Sequence, residues 1–471
     1  MTATMWTSAS AAAATGGQAT TEWVAHGVSI DSRAVAKDDL FVAIDGPNFD
    51  GHDFVSSAME AGAAAAIISR HPENLPKSTP LLFVANTMDA LRALAVAART
   101  RTTARIIAVT GSVGKTGTKD SLHSALAQQG AASASVKSFN NHWGVPLSLA
   151  RMPADGDFGI FEVGMNHAGE IAPLSRLIRP HVAVITTVEA AHIEYFDSIE
   201  AIADAKAEIF LGMDGGTAVL NRDNPLYDRL AAAARASKID QILAFGEHAE
   251  ANVRLVSYVG DLDGASIKAK IRDQSIDYRT GAPGKHLAMN SLAMLAAVLA
   301  IGADVPMAAH SLQDMIPGAG CGQRHGIALA NGILTLIDES YNANPASMKA
   351  AIETLGAAEP GPGGRRIAIL GDMRELGRRS ADFHRTVAEQ LLTNNIDLAF
   401  ACGPDMAAMV KKLPAKYLGA YADNSGALAH AVEKIVRPGD VIVVKGSLAT
   451  GMKTVVEALL GLSTISAMAR R

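Results

Sequence analysis

Gly111-Ser112-Val113-Gly114-Lys115-Thr116 is the stretch of this chain best suited to chemistry. The apolar run 105–110 before it is short and β-branched and gives way to glycine at 111, which predicts a buried parallel strand. Helix-compatible sequence follows over 116–129. A glycine turn between strand and helix lets backbone N–H groups and the helix N-terminus face an anion. Gly111 and Gly114 permit close backbone approach and positive φ. Lys115 would reach the β- and γ-phosphates of a nucleotide, and the Thr116 hydroxyl would ligate Mg²⁺. The commoner loop, Gly-x-x-x-x-Gly-Lys-Ser/Thr, begins with a glycine where this chain has Val109. A strand–helix turn with a solvent lysine is therefore the competing reading.

Three further polar residues follow apolar runs. Glu162 lies at the carboxyl end of "FGIFEV" (158–163), a predicted strand, at the edge where ligands of open α/β sheets gather. A carboxylate there suits a second metal ion; a glutamate capping a helix is the alternative. His192 comes after "VAVITTV" (182–188), at the same edge, and a lone histidine is more often a hydrogen-bonded structural residue. Lys206 sits in the helical stretch 198–211 beside Ala205 and Ala207, where a snorkelling surface lysine is the alternative.

The elements that must position these groups form three blocks: 1–103, 104–316 and 317–471. A length of 471 residues suits about three domains. The first block has short apolar runs and a helix over 87–101. The second alternates strands and helices, with an antiparallel region near 252–280 and a helix over 286–302. The third follows the glycine-rich join 316–326, a stretch suited to a hinge, and its alternation predicts a doubly wound sheet. A net charge of -5 argues against a sequence-independent nucleic-acid binder. Cys321 and Cys402 are the only cysteines and form no CxxC, which excludes a disulfide frame and predicts a reducing compartment. The Ala-rich N-terminus has no basic n-region and reads as a short helix ending at Gly16-Gly17. No stretch reads as a membrane span, so the expectation is a cytoplasmic protein without stable membrane insertion.

"VTGSVGKTGTK", "NNHWGVPLSL", "EVGMNHAGEI", "AHIEYF", "DAKAEIF", "DESYNANPASM" and "LGDMRELG" occur in this order. Together with "VSIDSRAVAKDDLFVAIDG" in the first block, they resemble the Mur ligase family of ATP-dependent amide-forming enzymes along essentially the whole chain. The family's phosphate loop is the shorter form, so Val109 conforms to it; Gly117, where the family usually has Thr, departs from it. The resemblance implies an α/β, three-domain architecture with a P-loop central domain and a doubly wound C-terminal domain. It also implies activation of the carboxylate of a UDP-N-acetylmuramoyl-tripeptide as an acyl phosphate, followed by attack of the D-alanyl-D-alanine amine. ATP and two Mg²⁺ are the implied cofactors, and no nucleic acid is involved. Lys115, His192, Lys206 and Arg324 carry the implied catalysis; Thr116, Glu162, His192 and Lys206, the last carbamylated in many members, hold the metals. Asn290, Arg324 and Asp338 join the loop residues 111–116 around the nucleotide. Asp31, Ser32, Arg33, Asn141, Asn342 and Asn344 are the implied substrate contacts. A folylpolyglutamate-synthase-like or other Mur-type amide ligase, and a P-loop switch protein without ligase activity, are the alternatives.

Overall fold

The computed structural model describes residues 4–468 except 47, 73–74, 137–138 and 262–263, with side chains to 463. Three main sheets come from three consecutive stretches of chain, each α/β in character. The first is five-stranded, with Gln18–Ala19, Leu81–Phe83, Ala65–Ile68, Asp39–Val42 and Gly27–Ser29 side by side, parallel except for its first strand. A short helix, Ser8–Thr15, precedes it and ends on Gly16 at φ 68°, the left-handed cap that glycine supplies without strain; residues 1–3 of that predicted segment lie outside the described residues. Helix Thr87–Arg101 buries Ala90, Leu91, Leu94, Ala95 and Ala98, a single stripe at helical spacing. Each buried leucine contributes about 1.5–3 kcal/mol. The helix also fixes this unit to the next: Arg99 Nε donates to Ile178 O at 2.7 Å, and the Arg101 guanidinium lies 4.3 Å above the ring of Trp6, whose Nε1 donates to Ala150 O.

The central sheet has nine strands. Arg105–Thr110 lies between Phe158–Glu162 and Val182–Ile185, all parallel, and the outer strands Val253–Gly260, Ala265–Ile271 and Gln274–Thr280 form the antiparallel extension that the charge alternation predicted. Helices cover both faces, with Lys115–Ala127 and Lys285–Ala300 on one and Ile171–Ile178, Ile199–Ala207 and Tyr227–Ala236 on the other.

The third sheet has six strands and is doubly wound. Pro345–Ala357 and Ser380–Thr393 cover one face; Ser425–Glu433 and Lys453–Met468 cover the other. Its first strand, Gln323–Leu329, pairs antiparallel with Gly332–Glu339, so the predicted join 316–326 runs into a strand that reading by glycine content missed. Another difference is the predicted helix over 198–211, which becomes a 3₁₀ turn at Glu208–Gly212. Tertiary contact imposes this. Glu208 accepts from the N–H groups of Gly169, Ile171 and Ala172, capping the neighbouring helix, and a Cβ on Gly212 would collide with the backbone of Ser175.

Candidate nucleotide and ligation site

The glycine turn has the geometry its sequence demands. Gly111 takes φ 148° and Gly114 φ 84°, and helix Lys115–Ala127 starts directly after Gly114. The turn is tied to the strand beside it: Ser112 Oγ donates to Glu189 O at 3.0 Å and accepts from Glu189 N–H, while Thr186 Oγ1 donates to Val113 O. Lys115 Nζ donates to Gly111 O at 2.7 Å, which folds the ammonium over the loop's own backbone. Burial pushes the Lys115 pKa down, and the Glu162 carboxylate opposes that shift.

Glu162 is 1% exposed. Its oxygens accept from Thr116 Oγ1 at 2.8 Å and Asn140 Nδ2 at 2.7 Å, and its backbone N–H donates to Ser135 Oγ. Helix capping is thus not its role. The side-chain hydrogen bonds of this buried carboxylate come from neutral donors, so a bound cation would supply the charge pairing that burial calls for. Carboxylate and hydroxyl oxygens together form the hard donor set that Mg²⁺ takes, so these residues fit such an ion. Asn140 had no sequence signal beyond its place in "NNHWG", where Asn141 was singled out. Asn141 Oδ1 accepts from the N–H groups of Trp143 and Gly144, bracing the start of helix Gly144–Ala150.

Lys206 is not a snorkelling surface lysine. It is 2% exposed, and its side chain makes no hydrogen bond or ion pair among the described residues. Burial and the nearby Lys115 cation hold its pKa well below the ordinary lysine value. His192 lies close to both lysines. Burial lowers its pKa most; Glu375 opposes that, and the charges of Lys115 and Lys206 add to it.

Asn290 sits directly against the loop, where a Cβ on Gly114 would come 2.5 Å from its Oδ1. Gly114→Ala is therefore expected to displace Asn290 and force alanine into a left-handed φ, at about 1–2 kcal/mol. Denaturant titration should show that loss of stability, and steady-state kinetics should show a raised KM for ATP with little change for the other substrates.

Other predicted residues lie farther along the chain. Arg324, with His286, Pro283 and Tyr258, lines a cavity of about 410 Å³ between the central sheet's extension and helix Pro345–Ala357. Asp338 accepts from Gly320 N–H and Ser340 N–H, both at 3.0 Å, and so braces the glycine-rich join. Asn344 is the N-cap of helix Pro345–Ala357 in a capping box with Ser347. Asn342 Oδ1 accepts from Ala343 N–H, and its carbonyl accepts from the buried Lys445. Asp31 and Arg33 flank Ser32 after strand Gly27–Ser29 and pair with each other through two hydrogen bonds of 2.8–2.9 Å.

Family models match this chain in three consecutive segments: the Mur ligase family catalytic domain over residues 24–102, the Mur ligase middle domain over 109–298, and the Mur ligase glutamate ligase domain over 325–448. The UDP-N-acetylmuramoyl-tripeptide–D-alanyl-D-alanine ligase of Rickettsia prowazekii (strain Madrid E) is 32% identical over 91% of this chain and 94% of its own. The chain belongs to the Mur ligase family. Among solved Mur ligase structures, MurF from Acinetobacter baumannii matches with a TM-score of 0.84 at 28% identity, covering 97% of this chain and 99% of its own. MurF ligase from Thermotoga maritima, solved in complex with ADP, matches with a TM-score of 0.77 at 26% identity, covering 93% and 98%. The α/β Mur ligase architecture and ATP use are thus properties of this chain. Among its described residues, no helix is long and apolar enough to cross a membrane.

Proposed function

We infer that this Mur ligase joins D-alanyl-D-alanine to a UDP-N-acetylmuramoyl-tripeptide at the expense of ATP, in peptidoglycan precursor synthesis. The observation that carries the substrate pair is the match to a ligase of that name over 94% of its length. The phosphate loop, with its buried Glu162 and Lys206, supports the ATP half of the reaction. In this reading the loop amides and Lys115 hold the phosphates, and the cavity at Arg324 and His286 takes the nucleoside end. Thr116, Glu162, His192 and a carbamylated Lys206 would hold two Mg²⁺. Bound Mg²⁺ would neutralise charge on the transferring phosphoryl group. Asp31, Ser32 and Arg33 hold the uridine nucleotide on the first unit, and the third unit presents the dipeptide. Lys115 stabilises charge as the tripeptide carboxylate becomes an acyl phosphate. An acyl phosphate is prone to hydrolysis, so docking of the third unit over the loop serves to exclude water. Mass spectrometry of a reaction with ATP, UDP-N-acetylmuramoyl-tripeptide and D-alanyl-D-alanine tests the assignment. The pentapeptide product is expected, with ADP and phosphate; ATP hydrolysis without it would favour the switch-protein alternative.

A further inference from the structure

The segment "LGDMRELG" spans residues 370–377. In the fold it leaves the end of strand Arg366–Gly371 in the third unit and crosses to the central unit. There Glu375 Oε2 is in a short hydrogen bond with His192 Nδ1. Backbone contacts reinforce the crossing: Glu194 N–H donates to Glu375 O at 3.1 Å, and a Cβ on Gly377 would sit 3.3 Å from Glu194 Cα. Ile193, next to His192, packs against the third unit's core as well as the central one. His192 and Glu375 are both non-glycine residues in the left-handed region, at φ 58° and 61°. Backbone strain of this kind persists only where surrounding structure holds it, and here the side chain of each residue is bonded to that of the other across the two units. A carboxylate can only accept, so the ring proton lies on Nδ1 and the Nε2 lone pair is left on the opposite edge of the ring. Nε2 makes no hydrogen bond among the described residues.

We propose that Glu375 is the positioning residue for His192, setting its ring orientation and tautomer only when the third unit is docked, so that the site at the phosphate loop is completed by closure. A carboxylate behind a histidine ligand has this effect in metal sites generally, and its loss typically costs about 10–100-fold. The proposal rests on the ligase reading for its kinetics but not for its spectroscopy.

The test uses the full chain with ¹⁵N-labelled histidine, ATP analogue and UDP-N-acetylmuramoyl-tripeptide present, and His192→Gln to assign the resonances. Wild type and Glu375→Gln, whose amide oxygen still accepts, are expected to show the Nδ1–H pattern for His192. Glu375→Ala and Glu375→Gly are expected to lose it. Glycine suits the φ of 61°, so that variant removes the side chain without a backbone penalty. Kinetically, both truncations should lower kcat about 10–100-fold with the KM for ATP nearly unchanged, and Glu375→Gln should recover most of the loss. Wild-type kcat in Glu375→Gly would overturn the proposal. So would a fall in kcat with the His192 resonances unmoved. Failure to form product in the wild type, with the tautomer response intact, would count against the ligase assignment alone.

Discussion

Lys115→Ala is expected to lower ligation by about 10²–10³-fold while the protein stays folded. The ammonium stands over the glycine turn, hydrogen-bonded to Gly111 O, at the start of helix Lys115–Ala127. The backbone amides of such a turn can bind phosphate in the ground state without it. The charge that builds on the transferring phosphoryl group has no comparable cation in the loop, so the loss should appear mainly in kcat. Folding should survive because burial lowers the Lys115 pKa: enclosing this cation costs the native state stability. The group's pKa is depressed on folding, so that cost grows as pH falls from the ordinary lysine value toward the folded one. Alanine removes the cost, and the melting temperature should hold or rise. Near-normal turnover would show that this loop is not the ATP site.

Lys206→Ala should be nearly inactive, and Lys206→Arg should be no better. The side chain is 2% exposed, without a hydrogen-bond or ion-pair partner among the described residues, and beside Lys115. As a cation it would repel a divalent ion at Glu162, at about 4 kcal/mol per pair of unit charges 4 Å apart with an effective dielectric of 20. Its depressed pKa instead favours the free amine. A free amine attacks the carbon of CO₂, forming the N–C bond and releasing a proton, to give a carbamate with two anionic oxygens of the kind a hard cation prefers. Arginine keeps the positive charge and cannot follow that route. Acetate or another short carboxylic acid should therefore restore part of the Lys206→Ala activity by supplying the missing oxygens. Activity assays with and without added acid, together with intact-protein mass spectrometry, measure both effects. Full activity in Lys206→Arg would remove the carbamate from the account.

Much of the site was legible in sequence because its parts are contiguous. The loop 111–116 carries strand, turn and helix within a dozen residues, and its glycines report directly the positive φ that the fold then uses. The apolar run 105–110 placed that loop at the carboxyl edge of a parallel sheet, and the runs ending near Glu162 and His192 placed those residues at the same edge. Sequence alone could not decide what each side chain does there. Alanines flank Lys206 whether it faces solvent or core; only the packing of helix Ile199–Ala207 made it a buried amine. Asn141 and Asn344, expected as substrate contacts, each also brace a helix start, a local hydrogen bond to N–H groups that spacing alone did not show. Asn140, one residue away, reaches Glu162 across 22 positions. Glu375 meets His192 across 183 positions, and that pairing exists only because the third unit docks on the second. Local chemistry is written in spacing; partnership between distant side chains is decided by which surfaces bury each other, and short-range patterns carry no record of that.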